Sequence, residues 1–249
     1  MAFITGKDTA VYVDEFDLSA YFNSADISVT TSAEESTAFG ATSKSYITGL
    51  QDGTLSLAGM WAADTDGSDE ELQAILGSTT TPVITIRQGS AAIGSRAILG
   101  QAHETSYAVS TPVAGISAIS ADFQSDSGST SNLTLGLTGG VQLTLGASIA
   151  HGSLGALSSV DNAASSASGG AATLHVPTNT VNGNTTIKVQ HSANDSSWAD
   201  LITFTVVGAS TKLGEIKAVT GTVNRYLRVT ASTAGSSGSI TFMVAATRF

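Results

Sequence analysis

Cysteine is absent from this sequence, and basic residues are few. Without a thiol, the chain forms no disulfide framework and no thiolate zinc site. Only 10 Lys and Arg stand against 20 Asp and Glu, which gives a formal net charge of −10 at pH 7. Affinity for DNA comes largely from Lys and Arg that neutralise phosphates, so this balance argues against a protein that holds nucleic acid.

Long apolar runs and targeting signals are also missing. No apolar run approaches the ~18 residues that a membrane-spanning helix needs. The opening residues, MAFITGKD, lack the basic segment followed by an apolar segment that marks an export signal. We therefore expect neither secretion nor a membrane partner.

Small and β-branched residues dominate the remainder, with 26 Gly and much Ser, Thr and Ala. This composition favours an all-β fold with many turns. In the first half, alternating or apolar runs between Gly and Asp predict eight strands: residues 10–15, 25–31, 53–62, 82–88, 95–101, 105–110, 115–124 and 132–138.

One segment of the first half has helical character. Residues 67–77, GSDEELQAILG, place Ser68 three residues before Glu71, the spacing of a capping box. Gly77 then stands where a helix commonly ends. We predict one short helix packed on a β-sheet.

Charge divides the chain into two predicted modules. Residues 1–150 hold 16 acidic and four basic residues, whereas residues 151–249 hold four acidic and six basic residues. Residues 146–172, rich in Gly, Ser and Ala, have the character of a linker, with a strand edge or a covering loop as the alternative. We predict a domain over 1–150 and a C-terminal β-sandwich over 151–249, each able to fold separately.

No catalytic motif is present. The sequence has no G-x-S-x-G elbow, no H-E-x-x-H and no phosphate-binding glycine loop. The His residues at 103, 151, 175 and 191 fall on different predicted elements. We therefore expect neither enzymatic activity nor a cofactor.

Two weaker binding signals have structural alternatives. Asp64, Asp66, Asp69 and Glu71 could supply oxygen ligands to calcium, but a turn followed by a helix cap accounts for them equally. Trp198 and Phe204 lie among hydroxyl and amide side chains, as in a sugar-binding surface, or belong to a strand of the core. A glycan is thus a possible partner of the C-terminal module.

Residues 11–76 carry a family resemblance. The order of an opening strand, DLSAYFNSADIS, a long polar loop, GLQDGTLSLAGMW and an acidic helix resembles the tail tube (major tail) proteins of long-tailed, siphophage-type bacteriophages. The ending, RYLRV and GSITFMVAATR, resembles the accessory sandwich domains attached to such proteins.

The resemblance implies a homo-oligomer. Similar proteins form hexameric rings whose sheets join into an inner β-barrel, and the rings stack into the tail tube of the virion. DNA would pass through without specific binding, and other tail proteins would contact the tube ends. The chain would be made in the host cytoplasm. A capsid decoration or neck protein and a carbohydrate-binding adhesion protein remain alternatives.

The stretch AEESTAFGATSKSYITG, residues 33–49, is too long for an ordinary hairpin turn. Phe39, Tyr46 and Ile47 would expose apolar surface in water, and such residues commonly anchor interfaces. Polar contacts would come from the rim residues Glu34, Glu35 and Lys44. We predict an inter-subunit loop, with a flexible loop whose Phe39 folds back on its own subunit as the alternative.

Overall fold

Strands make up about half of the residues that the structure describes. The structure, a computed structural model, describes residues 5–126 and 136–249. The predicted strand over 132–138 lies mostly outside these ranges. The strands are β1 Ala10–Val13, β2 Phe16–Asp17, β3 Phe22–Glu35, β4 Tyr46–Met60, β5 Val83–Arg87, β6 Arg96–Ser110, β7 Ala118–Ser125, β8 Thr138–Gln142, β9 Ser148–Ala150, β10 Val160–Asp161, β11 Gly170–Asn179, β12 Thr185–Ser192, β13 Ala199–Thr203, β14 Leu213–Val219, β15 Tyr226–Thr233 and β16 Ser239–Arg248.

An α-helix, α1 (Ser68–Ile75), interrupts the strands of the first half. The fold is thus all-β with one short α-helix in the described ranges, as predicted. The prediction of a capping box is wrong, however, because no side chain caps the first turn of the helix. The Ser68 hydroxyl instead donates to the Met60 carbonyl oxygen at 3.2 Å, which ties the helix to the end of β4. Gly77 has φ +73° and follows the helix end as predicted.

Strand β6 belongs to two sheets. Residues 96–101 pair with β5 and β8 in a sheet of order β14-β11-β16-β8-β6-β5-β1-β2. Residues 102–110 pair with β7, which starts a second run of strands in the order β6-β7-β4-β3. We call this second run the branch sheet. The sequence predicted two separate strands, 95–101 and 105–110, and the structure has one continuous strand in their place.

The C-terminal half is a β-sandwich, as predicted. A sheet of order β10-β15-β12-β13 packs against the β14-β11-β16 part of the long sheet. Its core includes Leu174, Val189, Phe204 and Phe242. The Gly/Ser/Ala-rich stretch lies along this sandwich: β9 pairs with β16, β10 pairs with β15, and Leu154 and Leu157 pack against the core.

The two halves share a sheet. Strand β16 pairs with β11 on one side and with β8 on the other. Each half has its own core, but Tyr12 and Leu99 from the first half also pack with Met243 from the second. The boundary near residue 150 stays a prediction, and these contacts give the halves an extensive common interface.

A buried polar cluster also joins the halves. His175 of β11 is fully buried, and its Nδ1 lies 2.5 Å from the Asp14 carbonyl oxygen while Nε2 lies 2.7 Å from the Thr85 hydroxyl. Since a carbonyl only accepts, Nδ1–H donates to Asp14 and Nε2 accepts from Thr85. Burial lowers the pKa of His175 to about 4, so the imidazole is neutral at pH 7.

Candidate functional site

The branch sheet has one packed face and one exposed face. Side chains of β4 and β7 that point inward, among them Leu55, Leu57 and Phe123, are buried with Leu72 of α1. The side chains that alternate with them point away from the core. Because successive side chains of a strand point to opposite sides of the sheet, these side chains together form its exposed face.

Small and acidic residues form the exposed face. Its members are Ser24, Asp26, Ser28, Thr54, Ser56, Ala58, Ser106, Ala108, Ser120 and Asp122, which the strand register places on one side. The Ser56 hydroxyl donates to the Asp122 carboxylate at 2.6 Å across two strands. Strands β3, β4, β7 and residues 102–110 of β6 contain no Lys or Arg. The face is therefore smooth, polar and negative.

Both edges of the branch sheet are unpaired in the single chain. Strand β3 pairs only with β4, and residues 103–110 of β6 pair only with β7, over the described ranges. Neither edge segment contains the Lys or Pro that commonly protects an exposed strand. The unpaired backbone groups at the two edges can accept strands from other chains.

A β-ribbon extends from one end of the branch sheet. Strand β7 stops pairing at Thr54, but β3 and β4 continue to pair as far as Glu35 and Tyr46. We call residues 29–52 the arm. The predicted loop over 33–49 is therefore shorter, residues 36–45, with strand on both sides. Sequence periodicity missed these strand ends because both faces of the arm are exposed, so apolar and polar residues do not alternate.

The predicted interface residues all lie on the arm and are exposed. Phe39 is fully exposed in the tip loop, so it does not fold back on its own subunit, and Tyr46 and Ile47 are more than half exposed. Glu34 lies opposite Ile47. Leu50, 87% exposed, is an apolar arm residue that the sequence analysis missed.

The tip loop has internal bonds despite its exposure. Lys44 Nζ lies 2.9 Å from Glu35 Oε2, and this hydrogen bond lowers the pKa of the Glu35 carboxyl. The Ser36 N–H donates to the Ser45 carbonyl oxygen at 2.8 Å. Backbone pairing and these bonds hold the arm as a defined ribbon.

Glu104 is a buried carboxylate on the β6 edge of the branch sheet. Its side chain is 5% exposed and lies on β6 opposite Phe123 of β7. Neither carboxylate oxygen has a hydrogen-bond partner. Burial raises the pKa of Glu104 to about 8, so the group is mostly protonated at pH 7.

Two of the four candidate calcium ligands, Asp66 and Asp69, have other partners. Asp66 pairs with Lys212 at 2.5 Å, and Asp69 accepts hydrogen bonds from Tyr107 and Gln73. Within the described ranges, no group of three or more His, Asp or Glu side chains could hold a metal ion. No described helix is long and apolar enough to cross a membrane.

The two aromatics of the predicted sugar surface lie in different environments. Phe204 is 2% exposed in the sandwich core, so the prediction that it belongs to a sugar-binding surface is wrong. Trp198 lies partly exposed just before β13, with the Arg228 guanidinium 4.1 Å from its ring centre. Glycan binding at Trp198 stays a prediction.

Comparisons with known proteins give distant structural similarity. Neither a protein-family model nor a curated protein matches this sequence. The chain is similar to a protein in the virion of a native gene transfer agent particle, with TM-score 0.41, 17% identity, and coverage of 48% of this chain and 92% of that one.

Two further solved structures are similar at the same low level. One, from the tail of an empty gene transfer agent particle with C6 symmetry, has TM-score 0.40 and 14% identity, covering 48% of this chain and 92% of that one. The other, the Dit protein of phage SPP1, described as a hub adsorption apparatus, has TM-score 0.34 and 15% identity, covering 98% and 100%. With TM-scores below 0.5, these similarities assign no function to this chain.

Proposed function

We propose that this chain is a structural subunit of a phage tail tube, whose copies join through the two unpaired edges of the branch sheet. Strand β3 of one copy would pair with residues 103–110 of β6 in the next, which closes a ring. One observation carries the proposal. The branch sheet has one buried face, and its two edges are unpaired and contain no Lys or Pro.

The diameter of the proposed ring follows from the number of strands that each copy contributes. In a hexamer, the number that the family resemblance implies, each copy contributes four strands to a closed barrel. With strands about 4.8 Å apart and tilted by about 40°, such a barrel is roughly 50 Å across between opposite backbones. A lumen of this width admits a DNA duplex.

The exposed face of the branch sheet suits such a lumen. A wall with Asp26 and Asp122 and without Lys or Arg would repel the phosphates of passing DNA. DNA would therefore slide without specific binding. We also propose that the chain is not an enzyme and uses no cofactor, because its sequence contains no catalytic motif.

The remaining parts of the proposal follow from this arrangement. The arm, with Phe39, Tyr46 and Ile47 exposed, would pack on a neighbouring subunit. The C-terminal sandwich would project outward, since the exposed face of the branch sheet points into the lumen. Other tail proteins would bind at the tube ends, and the assembled chain would reside in the virion after synthesis in the host cytoplasm.

Proline at two successive positions of β3 tests edge pairing. Successive backbone N–H groups of a strand point to opposite sides, so Ala25→Pro and Asp26→Pro remove one donor facing β4 and one donor at the unpaired edge. The proline that removes the donor at the unpaired edge should leave the fold intact. We therefore call the variant that keeps the circular dichroism and melting temperature of the native chain the edge variant. We expect it to form no rings in electron micrographs.

Rings formed by this folded edge variant as readily as by the native chain would contradict edge pairing. A native chain that stays monomeric would instead favour a decoration protein, or an adhesion protein that acts through the C-terminal sandwich.

A further inference from the structure

We infer that the outward surface of the sheet β10-β15-β12-β13 binds an acidic polysaccharide, a sugar polymer that carries carboxylate groups. We call this surface, with Lys188, Gln190, Trp198, Asp200 and Arg228, the sandwich face. It lies on the C-terminal half and involves neither edge of the branch sheet. The inference therefore goes beyond the proposed tube and does not depend on ring formation.

Alternation along β12 decides which of its side chains reach the sandwich face. Ile187 and Val189 are buried in the core between the two sheets. Lys188 and Gln190 therefore point outward, because successive side chains of a strand lie on opposite sides. The side chains of Lys188 and Asp200 are 34% and 44% exposed. The sandwich face is thus a regular sheet surface that solvent reaches.

Polar side chains form a continuous hydrogen-bonded row across three strands of this surface. Arg228 Nε of β15 donates to Gln190 Oε1 of β12 at 2.9 Å, and Gln190 Nε2 donates to Asp200 Oδ1 of β13 at 2.8 Å. Lys188 Nζ lies 2.6 Å from the other oxygen of Asp200. These bonds hold the four side chains in place. Their remaining N–H groups and lone pairs can bond sugar hydroxyl groups at a reduced cost in side-chain entropy.

Trp198 adds an aromatic surface beside this row. Its ring centre lies 4.1 Å from the guanidinium carbon of Arg228, which places the ring on the sandwich face. Asn194 orders the loop before it, because its Oδ1 accepts the backbone N–H groups of Ser196 and Ser197 at 3.1 and 3.0 Å. The exposed part of a ring held in this way can stack on the apolar C–H face of a sugar ring.

The charges of the sandwich face indicate an acidic rather than a neutral sugar polymer. Lys188 pairs with Asp200, and Arg225, just before β15, pairs with Asp161. Arg228 has no carboxylate within ion-pair distance in the described parts of the chain, and its Nε bonds a neutral amide. Its two Nη groups remain for a carboxylate, which a planar guanidinium binds through two parallel hydrogen bonds.

A single uncompensated guanidinium suits a ligand of low charge density. Nucleic acid carries a phosphate at every nucleotide and is held by several Lys and Arg that neutralise those phosphates. The other basic side chains here, Lys188 and Arg225, already pair with carboxylates, and the whole chain has a net charge of −10. The surface therefore favours an acidic polysaccharide over single-stranded nucleic acid, although a base could also stack on Trp198.

Binding of the full chain to immobilised polymers tests the inference. The acidic polysaccharides are polygalacturonate, alginate and hyaluronate. Dextran provides a neutral sugar polymer, poly-L-glutamate provides carboxylates without sugar, and oligothymidylate provides a nucleic acid. We expect binding to at least one acidic polysaccharide, weaker as salt rises, and little binding to the other three polymers.

Two substitutions locate the site on the sandwich face. Arg228→Gln removes the uncompensated charge, and Trp198→Ala removes the aromatic surface. Each should weaken binding by roughly tenfold or more, since charged hydrogen bonds contribute about 1.5 to 3 kcal/mol. Arg87→Gln is the matched control, because this arginine lies in the first half and donates to the backbone carbonyl of Asp8 at 3.0 Å. Arg228→Gln on the sheet surface provides the test if Trp198→Ala loses its native circular dichroism.

Several results would overturn the inference. These are no binding to any of the three acidic polysaccharides, or equal binding by the native chain and Arg228→Gln. Binding to dextran or poly-L-glutamate as strong as to the acidic polysaccharides would show that sugar or charge alone is sufficient. Stronger binding to oligothymidylate would assign the surface to nucleic acid instead. None of these results bears on the proposed tube, which depends on the edges of the branch sheet.

Discussion

Glu104 makes the stability of the single chain depend on pH in a direction opposite to that of most carboxylates. Its carboxyl is buried without a hydrogen-bond partner, which raises its pKa from 4.5 to about 8. Between these values the folded chain holds a proton that the unfolded chain releases. The free energy of unfolding therefore falls as pH rises from about 4.5 to about 8.

The size of this effect follows from the pKa. Each pKa unit corresponds to about 1.4 kcal/mol. The proton that the unfolded chain releases therefore lowers the free energy of unfolding by about 3 kcal/mol at pH 7, and by about 4 to 5 kcal/mol well above pH 8, where Glu104 is ionised in both states. Glu104→Gln keeps the shape of the protonated side chain but cannot ionise. We expect the variant to match the native chain near pH 4.5 and to exceed its unfolding free energy by about 3 kcal/mol at pH 7.

Urea unfolding at a series of pH values, at a chain concentration that keeps the protein monomeric, measures this difference. The contribution of His175, whose pKa is lowered to about 4, is common to both chains and cancels in the difference. Glu34→Gln, the same substitution on the exposed arm, serves as the matched control. A Glu104→Gln difference that stays constant from pH 4.5 to pH 8 would refute the reasoning.

Three further perturbations separate folding from assembly. Replacing residues 36–45 with a short Gly-Ser turn should leave the melting temperature within a few degrees of the native value, because all of these residues are exposed, and should abolish tubes. Unchanged tubes would contradict the interface role of the tip. Ending the chain at residue 150 tests the predicted boundary: a separable first module should keep a cooperative transition in calorimetry. Loss of that transition, because Tyr12 and Leu99 no longer pack on β16, would contradict the boundary. Ser56→Lys with Ser120→Lys should give tubes that retain DNA at low salt and release it as salt rises; retention by native tubes would contradict a repelling wall.

The sequence predicted those strands in which one face is buried. Leu55 and Leu57 alternate with polar residues in β4, and the structure buries both. Local patterns could not reveal that one continuous strand, β6, changes its pairing partner from β5 to β7 after residue 101. They also could not reveal the arm strands, whose two exposed faces impose no alternation.

Contacts between distant parts of the chain were beyond local patterns for a different reason. The pairing of β16 with β8 joins residues about a hundred positions apart, and nothing in either segment specifies the partner. Ser68 had the spacing of a helix cap, yet the nearby Met60 carbonyl competes for its hydroxyl. The sequence predicted Phe39, Tyr46 and Ile47 as interface residues; all three are exposed, and their interface role stays a prediction.

Cryo-electron microscopy of the purified full-length chain tests edge-to-edge assembly most directly. The account predicts rings or stacked tubes with a central hole, in which β3 of each copy pairs with β6 of the next and the face that carries Asp26 and Asp122 lines the lumen. Particles that remain single chains at high concentration, or rings in which the branch sheet lies on the outside, would contradict it.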